Sequence, residues 1–173
     1  MKAARLSYFV PGRPVPKQSY RASKFGGYQP KRVTDFKKVA QLIANNAAKK
    51  QGWKKADGPL LLKLVFRFRC PSSARKADRL IYRWRKERPD LDNLLKSIID
   101  SLSQSLMEDD SQICCVVSIK IIAKQGDPEG TSVTLETLGD YDERTESLVG
   151  EFAQPDEGLG AGGPGEKAGA VDV

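Results

Sequence analysis

Arg88-Pro89-Asp90-Leu91-Asp92-Asn93-Leu94-Leu95-Lys96 is the stretch from which the rest of the chain can be read. Leu91, Leu94, Leu95, Ile98, Leu102 and Leu106 recur at helical spacing, which predicts an amphipathic helix over 91–106 with one apolar stripe. Asp92, Lys96 and Asp100 fall four residues apart and share another face of that helix. Asp90 stands just before it, where a carboxylate can cap the helix or hold an ion. After the helix comes a second acidic group, Glu108-Asp109-Asp110-Ser111-Gln112, in a tight connection. Hard divalent cations such as magnesium take oxygen ligands, and Asp90, Asp92 and Asp110 could supply them if the chain runs back from the helix end. Lys96 would then offset phosphate charge beside the cluster. The plainer reading of the same residues is a capped helix, an Asp92–Lys96 ion pair and an acidic turn.

Working outward, the flanking segments predict a small sheet. Residues 60–69 alternate, with Leu60, Leu62, Leu64, Phe66 and Phe68 on one face, and so form a strand. Residues 113–123 form a strongly apolar strand, with Ile113, Cys115, Val117, Ile119 and Ile121 on one face. Gln125–Gly130 reads as a hairpin loop and 131–138 as its partner strand. Residues 6–10 form a short first strand stopped by Pro11-Gly12. Thr34 is suited to N-cap a helix over 35–50, with Phe36, Val39, Ala40, Ile43 and Ala47 on its inner face. The order β-α-β-α-β-β gives an α+β fold, a small mixed sheet with helices packed on it.

Charge separates this domain, residues 1–139, from a tail, 140–173. The first holds 27 Lys/Arg against 13 Asp/Glu, a balance of +14; the second holds 2 against 9, a balance of −7. A domain this basic calls for a polyanion, most simply DNA or RNA. The tail is acidic, Gly-rich and poor in large apolar residues, a composition that predicts disorder. Basic residues 72–88, with Tyr82 and Trp84, predict a mobile or loosely helical arm over DNA, in which Arg83, Arg85, Lys86 and Arg88 are candidate contacts. Residues 19–32 interleave Arg21, Lys24, Lys31 and Arg32 with Tyr20, Phe25 and Tyr28. They could grip phosphates and stack on bases, or form an ordinary solvated loop.

Other features exclude alternatives. Histidine is absent, which removes a His general base and His-containing zinc sites. Three cysteines without paired spacing point to a reducing, cytoplasmic setting. No apolar run is long enough to cross a membrane, and no signal peptide is evident. Ser118-Ile119-Lys120 has serine where a common metal-nuclease pattern places an acidic residue two before lysine, so that pattern is not met.

The residues around the opening stretch resemble the RusA family of Holliday junction resolvases, endonucleases that cut four-way DNA junctions. Arg88–Lys96 resembles its D-x-D-N-x-x-K block, and Glu108–Ile113 its second acidic block. Gly12-Arg13-Pro14-Val15-Pro16-Lys17 and Tyr28-Gln29-Pro30-Lys31 resemble its N-terminal elements. The resemblance covers about residues 6–138. It implies a RusA-like fold, a homodimer, and one Mg2+-dependent site per subunit, with no small-molecule cofactor. Branched DNA, a four-way junction, would be the substrate, resolved by paired nicks in recombination and repair. It assigns Asp90, Asp92 and Asp110 to the metal and Lys96 to catalysis. It leaves the roles of Asn93, Asp100 and Asp109 open. Lys17 and Lys31 join the expected DNA contacts. Three departures stand out: Pro89 in place of a further basic residue, Ser19-Tyr20-Arg21 after Lys17, and the acidic tail, expected to screen the basic surface or engage a partner. Two readings compete: a noncatalytic basic DNA-binding dimer, and a nuclease of the same chemistry on other branched DNA.

Overall fold

In a computed structural model, the chain divides into two compact units, Met1–Gly139 and Asp140–Val173. The structure describes residues 4–139, apart from 20, 24–25 and 103–104, together with residue 146. The expected disorder of the acidic tail therefore lies outside the described residues.

Strand β4 (Leu60–Phe68) is the centre of a five-stranded sheet. Its alternating Leu60, Leu62, Leu64, Phe66 and Phe68 are all buried. On one side it pairs antiparallel with β7 (Gly130–Thr137), which pairs in turn with β1 (Arg5–Pro11). On the other it runs parallel to β6 (Ile113–Ile122), whose far side meets the two-residue β5 (Arg83–Trp84). The order is β1-β7-β4-β6-β5, a mixed sheet. The hairpin expected between the last two strands is not formed, because β4 lies between them. The chain leaves β6 past the end of β4, where the Ala123 N–H donates to the Phe68 carbonyl at 2.8 Å.

The cross-strand rows on the inner face are apolar apart from the buried Thr131. Leu6, Leu135 and Leu62 are aligned in one row, and Val10 and Phe66 flank Thr131 in another. Gly130 lies so close to the Phe9 ring and the Val10 carbonyl that any side chain there would displace them.

Helix α1 (Lys31–Gln51) and helix α2 (Leu91–Ile99) cover the inner face. Helix α1 seats Ala40, Ala44 and Ala48 against the sheet, small residues that let the backbones approach. Val39, expected on this face, is exposed. The helix also begins earlier than expected, with Pro30 as its N-cap. Thr34 does not cap it; its hydroxyl donates to the Lys31 carbonyl one turn back. Gly52 ends it in the left-handed conformation that glycine accepts without strain.

Helix α2 stops at Ile99, well short of 106. The Ser101 hydroxyl and N–H both donate to the Ile98 carbonyl, which tightens and ends the helix. Leu102 and Leu106 still enter the core, from turns rather than from helix. In β6, a register shift places Ile113 opposite Leu60 and Cys115 opposite Leu61. Ile113 thus packs on the core, while Cys115, Val117, Ile119 and Ile121 share the opposite face.

Two of the loop readings also change. Residues Arg21–Ser23 (β2) and Gly26–Tyr28 (β3) form a small antiparallel ribbon. The basic stretch 72–88 is neither helical nor loose throughout: it holds one short 3-10 turn, Ala77–Arg79, and then β5 docks it on β6.

Candidate active site

The segment leading into α2 is strapped to the sheet. The Arg85 N–H donates to the Lys120 carbonyl, continuing the β5–β6 ladder. The Lys120 ammonium donates to the carbonyls of Glu87 (2.9 Å) and Pro89 (2.6 Å). The Arg85 guanidinium lies over the Phe68 ring, 4.3 Å from its centroid, and donates to the Arg88 carbonyl. Residues 85–89, including the cis Arg88–Pro89 bond, are thus held from two sides. Lys120 is a positioning residue that no motif in the sequence marks, because the two carbonyls it reaches lie more than thirty residues away along the chain.

This strapping places Asp90 at the N-cap of α2 with its backbone extended and its side chain making no capping bond. The carboxylate is exposed and makes no hydrogen bond or ion pair among the described residues. Two residues on, the Asp92 carboxylate accepts from the Lys96 ammonium, one turn further along α2, at 3.2 Å. That hydrogen bond holds the Asp92 carboxyl below its usual range. Asp90 before α2, Asp92 in its first turn and Lys96 in its last are therefore all exposed, opposite the stripe that buries Leu94 and Ile98.

The other end of α2 carries a second group. Asp100, Glu108, Asp109 and Asp110 line a cavity of about 210 Å³ with Ile99, Leu102 and Met107. The acidic turn here is locked in place. Asp109 accepts from the Ser111 N–H and caps a 3-10 turn, Asp110–Gln112; hydrogen bonding from the Ser111 hydroxyl first, and then from its N–H, lowers the Asp109 carboxyl's pKa. The Gln112 side chain accepts from the Glu108 and Asp109 N–H groups and donates to the carbonyls of Ala56 and Gly58. Trp53 donates its indole N–H to the Leu106 carbonyl nearby. These contacts fix Asp110 against the segment between α1 and β4. Gln112 gave no signal in the sequence, since the carbonyls it donates to, Ala56 and Gly58, lie in a distant segment.

Asp90 and Asp92 do not line the cavity that Asp110 lines. Asp92 and Asp100 are eight residues apart, about 12 Å along a helix axis, while magnesium holds its oxygen ligands at about 2 Å. Among the described residues, no three acidic or cysteine side chains are grouped closely enough to hold a metal ion. The donor chemistry suits a hard cation; the placement does not gather it into a cage.

The expected DNA contacts divide into engaged and free. Lys17 is bound to α2 twice, by its N–H to the Asn93 carbonyl (2.8 Å) and by its ammonium to Asp100 (2.8 Å). Lys31 pairs with Asp35, which raises the lysine pKa. Arg83 is 3.8 Å from Asp78, and Arg85 is occupied as described. Lys86 and Arg88 are exposed, and their side chains make no polar contact among the described residues. Arg21 lies on β2, and its side chain is outside the described residues.

No curated protein matches the chain. The family profile of endodeoxyribonuclease RusA matches residues 11–136, which take in both ends of α2, the strapped segment and all four candidate catalytic residues. The chain belongs to the RusA endodeoxyribonuclease family, and is an endonuclease of DNA.

Proposed function

We propose that this endonuclease is magnesium-dependent and resolves Holliday junctions by paired nicks, in recombination and repair. The observation that carries the reading is the exposed Asp90–Asp92–Lys96 group, held at the start of α2 by the strapped basic segment. Asp90 and Asp92 present free or singly paired oxygens, and Lys96 places a cation where phosphate charge would be met. Asp110 enters as a metal ligand from the family resemblance, since it sits with the other acidic group. The metal would supply Lewis-acid chemistry and the chain would supply position and charge.

Paired nicks on opposite strands suit a two-fold dimer. The edge of β6 supports one. Among the described residues, β5 pairs only with Ile121 and Ile122, so residues 113–119 offer an open strand edge. They carry no charge, and Val116 and Val117 are 38% and 52% exposed. Such an edge invites another strand unless charge or proline protects it. Three free cysteines agree with a cytoplasmic setting, and no described helix is long and apolar enough to cross a membrane.

The test is nicking of a synthetic four-way junction, a fork and a linear duplex, with and without magnesium. The expected result is symmetric nicks in the junction only, with metal only. Asp90→Asn is expected to abolish cutting while sparing junction binding; retained cutting would remove Asp90 from the assignment.

A further inference from the structure

Trp84 is the most exposed large apolar side chain described, at 76%. Its position is nonetheless fixed, because β5 pairs it with Ile121. Its two neighbours turn inward, Arg83 toward Asp78 and Arg85 onto Phe68. Trp84 and Lys86 turn outward, and Arg88 is exposed beyond the bend. The nearby Tyr82 is already engaged: its hydroxyl donates to Asp127 at 2.6 Å and its ring carries the Lys124 ammonium at 4.7 Å. The Trp84 indole has no such partner among the described residues. It is a flat apolar surface on a strand docked to β6, followed by two free cations, Lys86 and Arg88, and six residues before Asp90.

That combination fits a ligand that is flat, apolar and anionic together, which is a nucleobase with its phosphates. A continuous duplex offers its phosphates, but its base faces are covered by stacking. A base face is available only where stacking is interrupted. We infer that Trp84 stacks on a base face exposed at a DNA branch point, with Lys86 and Arg88 on the adjoining phosphates, and so discriminates branched DNA from continuous duplex. The inference rests on the branched-DNA reading above and adds the residue that would read the branch.

The test uses the full chain in EDTA, with four-way junctions carrying 2-aminopurine at the branch point and linear duplexes of equal length. Wild-type protein is expected to quench the branch-point fluorescence, and Trp84→Ala to leave it unquenched. The substitution is expected to weaken junction binding about tenfold or more, with duplex binding and far-UV circular dichroism unchanged. Trp84→Phe should recover part of both. Equal losses on junction and duplex, or junction affinity unaffected by Trp84→Ala, would overturn the inference. A change in sedimentation on Trp84→Ala would also overturn it, by making the indole a subunit contact. Wild-type nicking of junction against duplex judges the branched-DNA reading separately: junctions cut by wild type but bound equally well by Trp84→Ala would sink only the role of Trp84.

Discussion

β4 has two unlike neighbours. β7 runs antiparallel to it over eight paired residues and is itself covered by β1, so its side chains Val133 and Leu135 are fully buried. β6 runs parallel to β4 and is bordered on its far side by two residues of β5, and its Val116 and Val117 face solvent. The same kind of residue is therefore used in two ways. On the β7 side it removes apolar area from water and stabilises the fold. On the β6 side it leaves an edge and a face available, and the residues proposed for DNA and for cutting are attached to that side. The buried row of β7 and the proposed site lie on opposite flanks of one strand.

Breaking the β7 flank should show the largest effect. Leu135→Ala removes a fully buried side chain from the row it shares with Leu6 and Leu62. It is expected to cost about 2–5 kcal/mol of unfolding free energy, read from urea denaturation. A loss under 1 kcal/mol would mean that this half of the sheet is not the principal core. Val117→Lys, on the other flank, should change stability by no more than about 0.5 kcal/mol, as surface substitutions do. Its effect should appear in sedimentation: a wild-type dimer becoming a monomer. A dimer that survives Val117→Lys would place the subunit contact elsewhere.

The same asymmetry explains what could be read without a structure. The alternation of Leu60 to Phe68 and the leucine stripe from Leu91 to Ile98 are local periodicities, and they survived intact. So did the local spacing of Asp90, Asp92 and Lys96. The pairing of β7 is not legible in the sequence, because adjacency along the chain suggests a hairpin, whereas the parallel β4–β6 pairing is a long-range choice that puts β4 between them. The end of α2 is hidden in the sequence, because Leu102 and Leu106 keep the apolar rhythm while Ser101 bonds to Ile98 just past the helix end. Within the candidate site, Lys120 and Gln112 do their work by reaching backbone carbonyls in other segments. No spacing along the chain encodes that. Nor does it encode that Gln112 fastens the turn bearing Asp110 to Ala56 and Gly58, at the other acidic group from Asp90.

The smallest expected effect sharpens the contrast between the two ends of α2. The Asp92 carboxyl is held below its usual range chiefly by its hydrogen bond from Lys96. In metal-free buffer, Lys96→Met should return the Asp92 pKa toward the ordinary aspartate value, read by carboxyl-carbon NMR titration, while Asp109 should keep its lowered value because its cause is Ser111. The linkage follows the sign of the shift. A carboxyl whose folded-state pKa is depressed adds stability above its unfolded pKa, and that contribution is lost as pH falls through the folded value. Any stability gap between wild type and Lys96→Met should therefore be present near neutrality and close below about pH 4. An exposed pair of this kind adds little to stability, so the titration is the decisive reading. If Asp92 kept its depressed pKa in Lys96→Met, the lysine would not be the charge that Asp92 meets. It would then stand free on the exposed face of α2, and its role beside the phosphate would no longer require that it first leave a carboxylate.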